Sequence, residues 1–203
     1  MKKILRTRFL ILLLSVQTAV SFYSPSVNAQ ARLQQLDDRI MIDLANNRTP
    51  EQTGFFMFIS KNLMYGNVGV PVGLLVGGII SNDKEMRQNS LYVASSTLLS
   101  YGFTTLIKQI VKRPRPFVQN ISITPVYRPG GYSFPSGHSS SSFATATALS
   151  VAYPKWYVIA PAYLWAGATG YSRMYLGVHY PSDVATGAVL GAGSALPLLF
   201  LKK

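Results

Sequence analysis

The chain has 203 residues, a length that suits one domain. Hydrophobic residues make up 48% of it and charged residues only 13%, a balance too apolar for an ordinary soluble domain and one that predicts several membrane spans. There is no cysteine, which excludes disulfides and thiolate metal sites, and with only two histidines, His138 and His179, no multi-histidine metal site is expected.

The formal net charge is +12. Two sources of such a charge are open: the bias of cytoplasmic loops in a membrane protein and an anion-binding site. Nucleic-acid binding is not expected, because the basic positions flank apolar segments.

Residues 1–31 read as a signal peptide or an N-terminal anchor. A basic start (Lys2, Lys3, Arg6, Arg8) precedes an apolar run from Phe9 to Val20, and Ala29-Gln30-Ala31 has the small-x-small form of a cleavage site. Residues 32–203 then form the membrane domain. Leu33, Leu36, Ile40 and Leu44 recur at helical spacing between charged residues, which predicts an amphipathic helix on the membrane surface or against the bundle. Thr49-Pro50-Glu51 predicts a helix start with proline at its first position.

Five apolar segments follow: Leu63 to Ile80, Leu91 to Ile107, Phe143 to Tyr153 (extending back to about His138), Tyr157 to Tyr171, and Val184 to Leu201. Their glycines and small residues suit close packing of helices in lipid. The expected fold is therefore all-α, a transmembrane bundle of about five to six helices behind an amphipathic helix. Ser81 to Ser90 and Pro154-Lys155-Trp156 read as short polar turns, whereas Lys108 to Gly137 and Ser172 to Asp183 are long connections. Alternate threading puts both long connections on one side. The basic N-terminus makes the opposite side cytoplasmic, so the long connections face the periplasm or cell exterior of the bacterial inner membrane.

Three residue clusters lie on that side. Lys108 and Arg115-Pro116 bracket a predicted helix end, because Pro114 disfavours helix at Arg113. Alone, this pair fits lipid-headgroup contacts as well as a phosphate site. Pro135-Ser136-Gly137-His138 predicts a turn opening a helix, whose free N–H groups and dipole attract an anion. Alone, it is also an ordinary helix cap. In Ser172-Arg173-x5-His179-x3-Asp183, Pro181 predicts a helix start that carries Asp183 in its first turn. A carboxylate there can take the proton on one imidazole nitrogen and leave the other nucleophilic, although a structural pair has the same spacing.

Together the clusters, K-x6-RP, PSGH and SR-x5-H-x3-D, resemble the signature of the type-2 phosphatidic acid phosphatase family. That family is in turn similar to bacterial nonspecific acid phosphatases and vanadium haloperoxidases. Every fixed position is met in order, and Asp183 is the only acidic residue after Glu85. The resemblance implies that His179 attacks phosphorus and forms a phosphohistidine, supported by Asp183. His138 would protonate the leaving oxygen and then activate water. Lys108, Arg115, Ser136, Gly137 and Arg173 would hold the phosphoryl oxygens. No metal or cofactor is implied, since cations can supply the positive electrostatics that phosphoryl transfer needs. The expected partners are the bilayer and a lipid phosphate or diphosphate of the undecaprenyl diphosphate or lipid A type. A soluble periplasmic acid phosphatase is the alternative. Arg128, in the loop between Phe117 and Phe134, reads either as a further phosphate or sugar contact or as part of a plain connector.

Overall fold

The structure, a computed structural model, describes residues 27–202. The signal or anchor segment expected in residues 1–31 lies outside the described residues except for its last five, which begin a helix. The chain divides into two units, Met1–Leu36 and Asp37–Lys203. The described part of the first is the opening of helix α1 (Val27–Asn46), and everything below concerns the second.

From Asp37 onward the chain is helical: the end of α1, α2 (Pro50–Lys61), α3 (Leu63–Ile80), α4 (Lys84–Val111), α5 (Pro116–Gln119), α6 (Gly137–Ala152), α7 (Trp156–Tyr175), α8 (Pro181–Ala195) and a closing 3₁₀ turn, Leu196–Leu201. Among the described residues there is no strand. Local chemistry sets most boundaries. Thr49 caps α2, its hydroxyl accepting from the Gln52 N–H at 3.3 Å, and Pro50 takes the first helical position, as expected. The polar stretch Ser81 to Ser90 is not all turn, however. Asp83 accepts from the Met86 N–H at 3.0 Å and starts α4 at Lys84, so only Ser81–Asp83 connects the helices. At its other end α4 stops at Val111, with Lys112 left-handed at φ 50°.

The expected amphipathic stripe also needs correction. In the Asp37–Asn46 half of α1, the fully buried side chains are Asp37 and Met41, spaced one turn apart. The inward face is thus partly charged rather than purely leucine and isoleucine.

The helices from α3 onward are inverted relative to a soluble core. Beside an apolar cluster of Tyr92, Val93, Ala148, Ala152 and Ala195, much of their interior is small and polar: Ser96, Ser100, Thr104, Ser139, Ser140, Ser142 and Thr169 are buried. The Ser140 hydroxyl lies 2.6 Å from both Ser100 Oγ and Thr104 Oγ1, and Asn67 donates to Ser141 Oγ at 2.9 Å. Their exterior is apolar, with Ile80, Leu98, Ile110, Leu164 and Val189 each at least 70% exposed. Small residues and hydroxyls between helices, with large aliphatics outside, are the packing that suits a lipid solvent. On length and composition alone, Pro181–Leu201 qualifies to cross a membrane, and Pro50–Lys61 with Tyr65–Ile80 qualifies as a pair bent by 41°.

The tightest packing is between α6 and α8. A methyl group on Gly187 would sit 2.6 Å from the Ser136 carbonyl oxygen, and one on Gly191 only 2.1 Å from the Ser140 carbonyl oxygen. The two glycines, one turn apart, let α8 lie directly on the α6 backbone.

Candidate active site

The two long connections meet where α4 and α7 end and α6 and α8 begin. Each side chain arrives there for a local reason. At the end of α7 the Val178 N–H returns to Arg173 O at 3.1 Å and the Gly177 N–H to Met174 O at 2.9 Å, the paired bonds of a Schellman ending. Gly177 supplies the left-handed residue at φ +78°. The turn reverses the chain, and the His179 N–H also reaches Arg173 O at 3.2 Å. Pro181 then opens α8, and the Asp183 carboxylate folds back to accept from the Tyr180 N–H at 2.9 Å.

His179 is 3% exposed. Burial, the largest influence, and the nearby Arg173 and Arg115 push its imidazole from 6.5 down to about 3, although Asp183 opposes the shift. The ring is therefore neutral at ordinary pH. Arg115 Nη1 lies 3.3 Å from Nε2. A guanidinium only donates, so Nε2 is the acceptor and the ring proton sits on Nδ1. That proton faces Asp183 Oδ2 at 3.6 Å, longer than a hydrogen bond. Ser133 sits between them, 3.5 Å from Nδ1 and donating to Asp183 Oδ2.

Cations surround the histidine. Arg115 is buried and is held by three carbonyls: Nε on Gly131 at 3.1 Å, Nη2 on Gly130 at 2.9 Å and Nη1 on Val178 at 2.9 Å. Lys108 donates to the Tyr132 and Ser133 carbonyls at 2.7 and 3.2 Å. Arg173, 2% exposed, donates to Ser60 Oγ and stacks on the Tyr127 ring at 5.6 Å. Its Nε has no hydrogen-bond partner. A buried guanidinium N–H left unpaired costs free energy, which a phosphoryl oxygen would recover. His138, the second residue of α6, is within electrostatic reach of Lys108, Arg115, Arg173 and His179.

The structure thus draws Lys108, Arg115, His138, Arg173, His179 and Asp183 together. Ser136 and Gly137 occupy the helix start beside them. The Ser136 hydroxyl faces inward and caps α6, accepting from the Ser139 N–H at 3.4 Å, while the Ser136 N–H ties α6 to α8 through Asp183 O at 3.0 Å. Arg128 is exposed and stacks on Phe117 at 5.4 Å. Sequence reading missed Ser133, Arg113, Asp37 and Ser60. Their one visible signal was Ser133, lying two residues before the Pro-Ser-Gly-His turn.

Among the described residues the arrangement offers a neutral imidazole with its lone pair turned toward cations, a second imidazole nearby and a carboxylate behind the first. That set can transfer a phosphoryl group.

A family model of the PAP2 superfamily matches residues 89–201. The decaprenylphosphoryl-5-phosphoribose phosphatase of Mycolicibacterium smegmatis is 37% identical over 116 residues, which cover 57% of this chain and 61% of that one. The undecaprenyl-diphosphatase of Sulfolobus acidocaldarius is 32% identical over 152 residues, covering 72% of this chain and 68% of that one. The chain thus spans about three fifths of the length of the first relative, at 61%, and a little over two thirds of the second, at 68%. The crystal structure of Aquifex aeolicus LpxE superposes with a TM-score of 0.63 at 28% identity, over 81% of this chain and 95% of that one.

Proposed function

The chain belongs to the PAP2 superfamily, and from its site we propose that it is a membrane phosphatase that hydrolyses a lipid phosphate or diphosphate. The observation that carries this reading is the 3.3 Å approach of Arg115 Nη1 to His179 Nε2. It leaves the ring proton on Nδ1 and a lone pair aimed into the cationic pocket.

In the first step Nε2 attacks phosphorus and the bond to the leaving oxygen breaks. His138 gives that oxygen its proton, and the product is a phosphohistidine on His179. In the second step water attacks the phosphohistidine and gives a proton to His138. The P–N bond breaks, and inorganic phosphate leaves. Asp183 stabilises positive charge on the His179 ring as Nε2 becomes bonded. Lys108, Arg115, Arg173 and the Gly137 N–H at the start of α6 neutralise the equatorial oxygens, which is most of what phosphoryl transfer requires.

The substrate class we propose is a polyprenyl phosphate or diphosphate, of which undecaprenyl diphosphate is one, or lipid A. Both curated relatives carry a polyprenyl phosphate in their names. The polar interior and aliphatic exterior of the bundle support a bilayer setting over the soluble acid phosphatase. The proposed site faces the periplasm across the inner membrane.

The test is phosphate release by purified protein from undecaprenyl diphosphate, phosphatidylglycerol phosphate, phosphatidic acid and lipid A, with His179→Ala as the blank. Release from at least one lipid and none from the variant is expected. Equal release by the variant would overturn the nucleophile. Extraction of active protein by washing membranes without detergent would instead favour the soluble reading.

A further inference from the structure

One buried charge network lies outside the signature positions. Arg113 bridges two carboxylates: its Nη1 meets Asp183 Oδ1 at 2.7 Å and its Nη2 meets Asp37 Oδ2 at 2.8 Å. The Asp37 side chain, on α1, is 1% exposed and that of Arg113 is 17% exposed. Ser182 locks the bridge, accepting from Arg113 Nη1 at 2.7 Å while its own hydroxyl donates to Asp37 and its N–H reaches Asp37 Oδ1 at 3.0 Å. The guanidinium stacks on the Tyr180 ring at 4.1 Å. The Arg113 carbonyl also accepts from the Ser133 N–H at 2.8 Å, so the same residue places the serine that donates to Asp183.

An isolated Arg–carboxylate pair tends to close as a fork, two parallel N–H···O bonds taking both oxygens. A fork on Asp183 would take Oδ2 away from His179. Here the second arm, Nη2, is occupied by Asp37, and Arg113 meets Asp183 through Nη1 on Oδ1. Oδ2 stays with the Tyr180 N–H, Ser133 and the His179 ring.

We infer that Asp37 and Arg113 are positioning residues that act through Asp183, Asp37 by holding the second arm of the guanidinium so that one carboxylate oxygen remains for His179. The inference rests on His179 as the nucleophile. It assigns a task to the helix ahead of the bundle: its single buried carboxylate completes the hydrogen-bond shell of a residue 146 positions away, from Asp37 to Asp183. Residues that orient metal-binding histidines typically change activity by ~10–100-fold when removed, and an effect of that size is expected for one that orients a histidine nucleophile.

The experiment compares wild type, Asp37→Ala, Asp37→Glu, and Asp37→Ala combined with Arg113→Lys, using phosphate release from the best lipid of the panel. Asp37→Ala is expected to lower kcat by about 10–100-fold with KM within about threefold, and Asp37→Glu to restore much of it. Lysine carries a point charge and cannot form the fork. The added Arg113→Lys should therefore raise kcat above that of Asp37→Ala alone, a gain that loss of folding cannot produce. A second readout needs no substrate. Because the chain has only two histidines, ¹⁵N labelling of histidine gives two rings by NMR. The His179 ring should show its proton on Nδ1 in wild type and a mixture of tautomers in Asp37→Ala, with His138 unchanged. Should Asp37→Ala fail to fold, Asp37→Asn carries the same comparison. If no lipid is hydrolysed by wild type, the proposed function fails while the ring signal still decides this inference. An unchanged His179 ring, or a wild-type kcat in Asp37→Ala, overturns it.

Discussion

Gly191→Ala is the sharpest probe of how the fold sets the site. The added methyl would lie 2.1 Å from the Ser140 carbonyl oxygen, 2.9 Å from its carbon and 3.0 Å from the Ala144 nitrogen. All three are backbone atoms of α6 and cannot rotate away. Restoring an ordinary contact of 3.4 Å requires the two helices to part by the difference from 2.1 Å, about 1.3 Å. Overpacking of this kind costs ~1–3 kcal/mol. The larger effect is on catalysis, because α6 carries His138 and α8 carries Asp183, and the Ser136 N–H to Asp183 O bond spans the same seam. A displacement of 1 Å at reacting groups lowers rate by ~10²-fold. Gly193→Ala is the internal control, since a methyl there meets nothing within 4 Å. The assay is phosphate release and thermal unfolding of both variants in detergent. Gly191→Ala should lose roughly two orders of magnitude in kcat and unfold at lower temperature, while Gly193→Ala matches wild type. Wild-type activity in Gly191→Ala, or equal damage in both, refutes the packing argument.

Arg173→Lys should not be conservative. The buried guanidinium reaches Ser60 and Tyr127 and has an unpaired Nε. Loss of that fixed donor set should cut kcat/KM by ~10²–10³-fold in the same assay. Stability should depend on pH through His179. Its folded pKa of about 3 lies below the ordinary 6.5, so between those values the unfolded chain binds the extra proton and stability falls as pH falls, by up to ~1.4 kcal/mol per unit. Melting curves of His179→Asn should show a shallower slope than wild type between pH 6.5 and about 3, and an identical slope would reject the buried neutral ring. Phosphate release should persist in EDTA and be inhibited by orthovanadate, because Lys108, Arg115 and Arg173 supply the positive charge in the proposed mechanism. Full inactivation by the chelator, reversed by a divalent metal, would contradict this.

The helical architecture and the convergence of Lys108, Arg115, His138, Arg173, His179 and Asp183 were legible in the sequence, because the three motifs fall in order on connections that share one side and prolines punctuate the ends that carry them. Pro181 marks the start of α8, and Pro114 marks the end of α4. The polar window before Leu91 was misread, since a charged first turn such as Lys84-Glu85 looks like a loop until its cap, Asp83, is seen to bond Met86. Asp37 was hidden for a different reason. In an amphipathic pattern a charged residue reads as the wet face, and only the chain's return at Arg113, 76 positions later, makes it an interior one. Ser60 was equally invisible, because it meets Arg173 through one long-range hydrogen bond that no local spacing records.

The central claim is that His179 Nε2 carries the phosphoryl group. Acid-free rapid quenching of the protein with a lipid phosphate labelled in its phosphoryl group, followed by mapping of the label, tests it directly. The account predicts a label that survives base, is lost in acid and maps to His179, that disappears in His179→Ala, and that accumulates in His138→Ala when the leaving group needs no proton. A label on another residue, or an unlabelled wild type turning over at full rate with the same label-free course in His179→Ala, would contradict it.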